Sequence, residues 1–123
     1  MQNLSVPERD LKMRTQQFAL DVIQFVEKLP ASETCRIIGR QLLRSGTSVG
    51  ANYRAASRSR SKADFIAKIG IVVEEADESA YWIELLSAAQ KIKPEFTVAL
   101  LREANELVAI AIASINTARK NSG

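Results

Sequence analysis

The sequence predicts an all-α protein, an antiparallel up-down four-helix bundle. Three observations carry this reading. Apolar residues recur at three- and four-residue spacing through most of the 123-residue chain, the period of a helix with one buried face. No stretch alternates apolar and polar residues with period two for long enough to propose a strand. Pro30, Pro94 and the turn Ser57-Arg58-Ser59-Arg60 separate four long segments by short connections, as neighbouring antiparallel helices require.

Met1 to Glu8 reads as a loose arm with Pro7 as a breaker. The first helix is expected over residues 9–29, with Leu11, Thr15, Phe18, Val22, Phe25, Val26 and Leu29 on one stripe. Pro30 ends it, because proline lacks an amide donor and restricts the residue before it. Ser32 then serves as an N-cap for a second helix over 33–57, with Glu33 favourable against the dipole.

The seam of the second helix is Ile38, Leu42, Ser45, Val49, Asn52 and Ala56. Three glycines complicate it, since each costs about 1 kcal/mol relative to alanine inside a helix. Gly39, Gly46 and Gly50 are seven and four residues apart, which puts them on one face. That spacing favours one unbroken helix with close backbone approach over a break at SGTSVG.

Ser61 and Asp64 have capping-box spacing at the start of a third helix, 62–91. Its stripe is Phe65, Ile69, Val72, Val73, Ala76, Ala80, Ile83, Leu86 and Ala89. Pro94 suits the first turn of a fourth helix, 94–119. There the seam is Leu101, Ala104, Val108, Ala111, Ile112, Ile115 and Ala118, followed by a frayed tail with Asn121 and Gly123. One domain, 1–123, is expected, with one core.

Composition excludes much chemistry. There is no histidine, so Ser-His and Cys-His pairs, His-based zinc sites and Glu-x-x-His di-iron motifs are absent. The cluster Glu74, Glu75, Asp77 and Glu78 reads as solvated or paired rather than as a cation site. No glycine-rich segment matches a phosphate cradle. No catalytic residue, cofactor or metal is expected. The single cysteine, Cys35, forms no intrachain disulfide and reads as an inert small side chain. Met1 to Arg14 lacks the apolar stretch of a signal peptide, and the apolar run Leu107 to Ile115 is shorter than the ~20 residues of a membrane span. These features describe a cytoplasmic protein with no membrane segment.

Charge is sorted along the chain. Arg36 to Lys62 carries seven cations and no acid, whereas Ile69 to Gln90 carries Glu74, Glu75, Asp77, Glu78 and Glu84 and no Lys or Arg. In an antiparallel hairpin with its apex near Ser59, residues equidistant from the apex are level. Arg54 then faces Asp64, Arg44 faces Glu74 or Glu75, Arg40 faces Glu78, and Arg36 nears Glu84. At least two of these pairs are expected. Arg58, Arg60 and Lys62 have no acidic partner in this register. With Arg54 they are the candidate nucleic-acid contacts, through phosphate. Aromatic residues for base stacking are few: Tyr53, Tyr81 and Trp82.

The fourth helix is apolar almost all round near Leu107 to Ile112, and Trp82 lies off the stripe of the third. A helix facing one core should show a polar side. Trp82, Leu107 and Ile110 are therefore the candidate oligomer interface, in a homo-oligomer of this chain.

The segment LLRSGTSVGANYRAASRSRSKADFIAKIGIVVEEADESAYWIELL resembles a known family. The matching features are Arg44-Ser45, Ser48, Asn52, the basic turn, Phe65 and the Glu/Ser stretch before Leu85-Leu86. The family comprises bacterial four-helix-bundle proteins encoded in intervening sequences of 23S ribosomal RNA genes, often labelled S23 ribosomal protein. One departure is Tyr53-Arg54-Ala55-Ala56, where relatives commonly read Ile-Ala-Glu-Gly. The resemblance implies an antiparallel bundle and a ring-like homo-oligomer, typically a pentamer. It extends distantly to an accessory variability protein of diversity-generating retroelements, which binds nucleic acid and a reverse transcriptase. It supplies no catalytic residues. The expectation is thus a non-enzymatic, self-assembling bundle contacting RNA or DNA, with a protein-protein interaction scaffold as the alternative.

Overall fold

A computed structural model describes residues 8–121. The expected arm and the end of the tail lie outside these residues, except that Glu8 already opens the first helix. Four helices follow: α1 (Glu8–Glu27), α2 (Glu33–Ser57), α3 (Lys62–Ala88) and α4 (Pro94–Lys120). No strand occurs among the described residues. Each helix packs on the next in sequence, and α1 closes on α4 along a shorter seam.

Local chemistry sets the boundaries. Leu29 and Lys28 end α1 through 3₁₀-type bonds to Val26 and Phe25, two residues before the expected stop. The Ser32 hydroxyl accepts from the Cys35 amide, and the Ser61 hydroxyl from the Asp64 amide, so both expected N-caps form. The third helix stops at Ala88 rather than 91. Gln90 takes a left-handed conformation (φ 59°), and the Lys91 and Gln90 amides return to the Leu86 and Ser87 carbonyls. This is a Schellman stop with glutamine where glycine is commonest.

Phe18, Val22, Leu42, Val49, Ile69, Ile83, Leu86 and Leu107 are essentially fully buried and form the centre of the core. The fourth helix departs from expectation. Its buried seam is Thr97, Leu100, Ala104, Leu107, Ile110 and Ala111, while Ile112 is 45% exposed. The seam therefore sits about one residue round the helix from the expected one. Both candidate seams are apolar here, so periodicity cannot choose between them; packing against α3 does.

The glycine face of α2 lies close against α1. A Cβ on Gly46 would lie 2.8 Å from a methyl of Val22, which is itself fully buried and stiff at χ1. A Cβ on Gly50 would lie 3.3 Å from the Thr15 carbonyl oxygen, and one on Gly39 3.3 Å from Val26. The three glycines serve α1, and α2 runs unbroken through SGTSVG. Gly70 in α3 has nothing within 4 Å of its Cβ position.

Two substitutions separate these roles. Gly46→Ala should destabilise by about 1–3 kcal/mol, because overpacking against Val22 outweighs the helix-propensity gain. Gly70→Ala should stabilise by about 0.5–1 kcal/mol. Urea unfolding followed by circular dichroism measures both; equal effects of the two alanines would remove the close-approach account.

Candidate nucleic-acid interface

The α2–α3 connection is built from Arg58 to Ser61. The Arg58 and Ser59 amides close the end of α2 on Ala55 and Ala56, and Ser61 caps α3. This tight turn points its long side chains outward. Arg54, Arg58, Arg60 and Lys62 are all exposed. Among the described residues, none of the four has a carboxylate within ion-pairing distance. Asp64, the expected partner of Arg54, pairs instead with Lys68 one turn along its own helix, at 2.7 Å. Lys68 thereby holds the Asp64 carboxyl below its ordinary range.

Topology adds further cations to this end. The start of α1 lies level with the end of α2, so Lys12 and Arg54 line one groove. The last turn of α4, with Arg119 and Lys120, belongs to the same pole. Residues Leu11, Tyr53, Ile69 and Ser114, one from each helix, meet just beneath it.

Further along the hairpin the charge is neutralised. Arg44 on α2 forks onto Glu75 (3.1 and 3.2 Å) and reaches Glu78 at 2.7 Å on α3. The Trp82 indole donates to the same Glu78 oxygen at 3.0 Å. Directly inside this cluster, the Ser45 and Ser79 hydroxyls are 2.8 Å apart and fully buried.

Of the four level pairs expected across the hairpin, only Arg44 with Glu75 forms. Glu78 goes to Arg44 rather than Arg40, and Arg36 pairs with Glu33 in its own first turn. The reason is rotation. Residues four apart on a helix differ by about 40° in direction, so Arg36, Arg40 and Arg44 fan outward and only Arg44 stands at the α3 edge. Level matching gives height but not direction.

The interface candidates also need correction. Leu107 is 1% and Ile110 8% exposed, because both belong to the core of their own bundle. They offer no docking surface. The large exposed apolar residues of α4 are Phe96, Val98 and Ile112. Trp82 is half-buried against the core and meets Tyr81 edge-on at 5.0 Å between ring centres; Tyr81 is 54% exposed. Tyr53 is buried, which removes it from the stacking candidates. Cys35 is buried in α2. Among the described residues, no group of three or more acidic or cysteine ligands converges on a metal position, and no helix is long and apolar enough to cross a membrane.

The Glu78 carboxyl lies below its ordinary value of 4.5, first because of the Trp82 indole and then because of Arg44. A depressed folded value means that the stabilisation is complete above the unfolded value and is lost as pH falls through the folded one. Tryptophan emission should therefore shift in an acid titration with a midpoint below pH 4.5. Glu78→Gln should abolish this step, and Arg44→Gln should move it upward. A step unchanged in Glu78→Gln would assign the titration to another group.

A family model described as 23S rRNA-intervening sequence protein matches residues 8–113. No curated protein matches. A crystal structure of a protein with unknown function, from the S23 ribosomal protein family of Bacteroides thetaiotaomicron, is 32% identical. It covers 90% of this chain and 99% of its own, with a TM-score of 0.83. The helix order, the hairpin sequence and these two likenesses agree: the chain belongs to the 23S rRNA-intervening sequence protein family.

Proposed function

We propose that this protein is a non-enzymatic, self-assembling bundle that contacts RNA or DNA through the basic α2–α3 turn. The observation that carries the reading is the contrast between the two levels of the hairpin. Arg44 is neutralised by two carboxylates, whereas Arg54, Arg58, Arg60 and Lys62 are exposed and have none. Cations left without partners are the ones that gain by displacing counterions from a phosphate chain.

Self-assembly multiplies this weak contact. In a ring of identical subunits the basic pole recurs on one rim, and linked contacts bind more tightly than single ones. The family resemblance supports a pentamer. Tyr81 and the half-buried Trp82 on α3 and Phe96, Val98 and Ile112 on α4 are among the apolar side chains available for such contacts. The second reading is a protein-protein scaffold, favoured by the thin aromatic surface: among the described residues the exposed rings are Tyr81 and Phe96, with Phe65 and Trp82 half-buried.

Fluorescence anisotropy with mixed-sequence RNA and DNA at low ionic strength separates the two. Binding should weaken by about tenfold in Arg58→Ala/Arg60→Ala, a loss of roughly 1.4 kcal/mol. Arg44→Gln should leave it within about twofold, because that charge is already matched. Light scattering on the same samples should give a multiple of the 13.6 kDa chain, the same for both variants. Absence of binding with the assembly intact would leave the scaffold reading in front.

A further inference from the structure

A groove of about 230 Å³ runs between α1 and α2, one turn below the basic apex. Lys12, Thr15, Gln16, Thr47, Gly50 and Arg54 line it. It exists because its walls are small. Gly50 lies against the Thr15 backbone, and the remaining wall is Ala19 and Ala51.

Its polar groups are sorted. Lys12 and Arg54 stand on opposite helices, and among residues 10–121 no carboxylate lies within ion-pairing distance of either and no acidic residue lines the groove. The two threonine hydroxyls have spent their hydrogens on their own helices. Thr47 donates to the Leu43 carbonyl at 2.8 Å and Thr15 to the Lys12 carbonyl at 3.2 Å. Thr15 is buried, so the exposed Thr47 oxygen is the one that offers a ligand a lone pair. The groove therefore combines two cations with one hydroxyl acceptor. The groove between α1 and α4 is different. Asp21, Lys28 and Glu103 line it, and Glu103 is already held by Arg14.

We propose that the α1–α2 groove binds one sugar–phosphate unit. The phosphate lies between the Lys12 ammonium and the Arg54 guanidinium, which form charge-assisted hydrogen bonds to its oxygens. A sugar hydroxyl donates to the Thr47 oxygen. The volume is below the roughly 300–1,000 Å³ of sites for drug-sized ligands, so a whole nucleotide with its base is excluded from full burial. The proposal rests on the nucleic-acid reading for its source: a strand held at Arg58 and Arg60 continues into the groove past Arg54. A free sugar phosphate has the same chemistry.

The test is an amide-resolved NMR titration with ribose 5-phosphate, beside inorganic phosphate. Ribose 5-phosphate should shift the Thr15, Gly50 and Ala51 amides and saturate at about 1 mM, several-fold below inorganic phosphate. The shifts should vanish in Lys12→Gln/Arg54→Gln. They should also vanish in Ala51→Leu, which fills the groove and keeps both charges. They should persist in Arg58→Ala/Arg60→Ala. Equal affinity for inorganic phosphate, or shifts indifferent to Ala51→Leu, would overturn the site. An RNA oligonucleotide titrated in parallel identifies the source. Oligonucleotide binding without groove shifts overturns the groove and leaves the apex reading standing. Groove shifts without oligonucleotide binding uphold the site for free sugar phosphates and remove the nucleic-acid reading.

Discussion

One buried polar contact marks the register of α2 against α3, the Ser45–Ser79 hydroxyl pair. Neither hydroxyl reaches water, so each must find a partner inside the protein. Ser79 gives its hydrogen to the Glu75 carbonyl and accepts from Ser45, which satisfies both. Sliding the helices would break the bond between them, while Ser79 keeps the Glu75 carbonyl and Ser45 turns to the Leu42 carbonyl at 3.2 Å, so the cost is that of one hydrogen bond, about 0.5–1.5 kcal/mol. Arg44 and its two glutamates sit just outside and reinforce the same register, although their exposure makes them the weaker constraint.

From that register the rest follows. Ser45 faces α3, and Gly46, one residue on, faces α1. The second helix thus carries two neighbouring contacts of different kinds, a hydrogen bond on one side and the Val22 side chain seated on the Gly46 backbone on the other. Fixing the hairpin fixes the height of the glycine face, and Val22 then sets the height of α1. The start of α1 and the end of α2 arrive at one level, which brings Lys12 beside Arg54. The basic pole is a consequence of packing that occurs well below it.

The four helices were legible because their apolar stripes are clean and their caps strong. Ser32 and Ser61 marked two starts to the residue, and Pro94 a third. The end of α3 was not legible, because Gln90 takes a position that usually announces itself as glycine. The α4 seam misled for a different reason. With Leu107, Val108, Ile110, Ala111 and Ile112 in sequence, more than one face satisfies the helical period, and only the partner helix selects. Of the candidate site, the exposed turn cations were readable from the absence of acids nearby. The Lys12–Arg54 groove was not, because it joins residues 42 apart through the position of Gly50.

On the proposed function, position relative to the Arg44 cluster decides which cations are free to meet phosphate. Binding to a single-stranded RNA measured across a series of salt concentrations tests it most directly. For each phosphate contact removed, the slope of log affinity against log salt should flatten by about 0.7. The account predicts that flattening for Arg58→Ala and for Arg60→Ala, and an unchanged slope for Arg44→Gln. A slope that flattens with Arg44→Gln and not with the apex variants would contradict it.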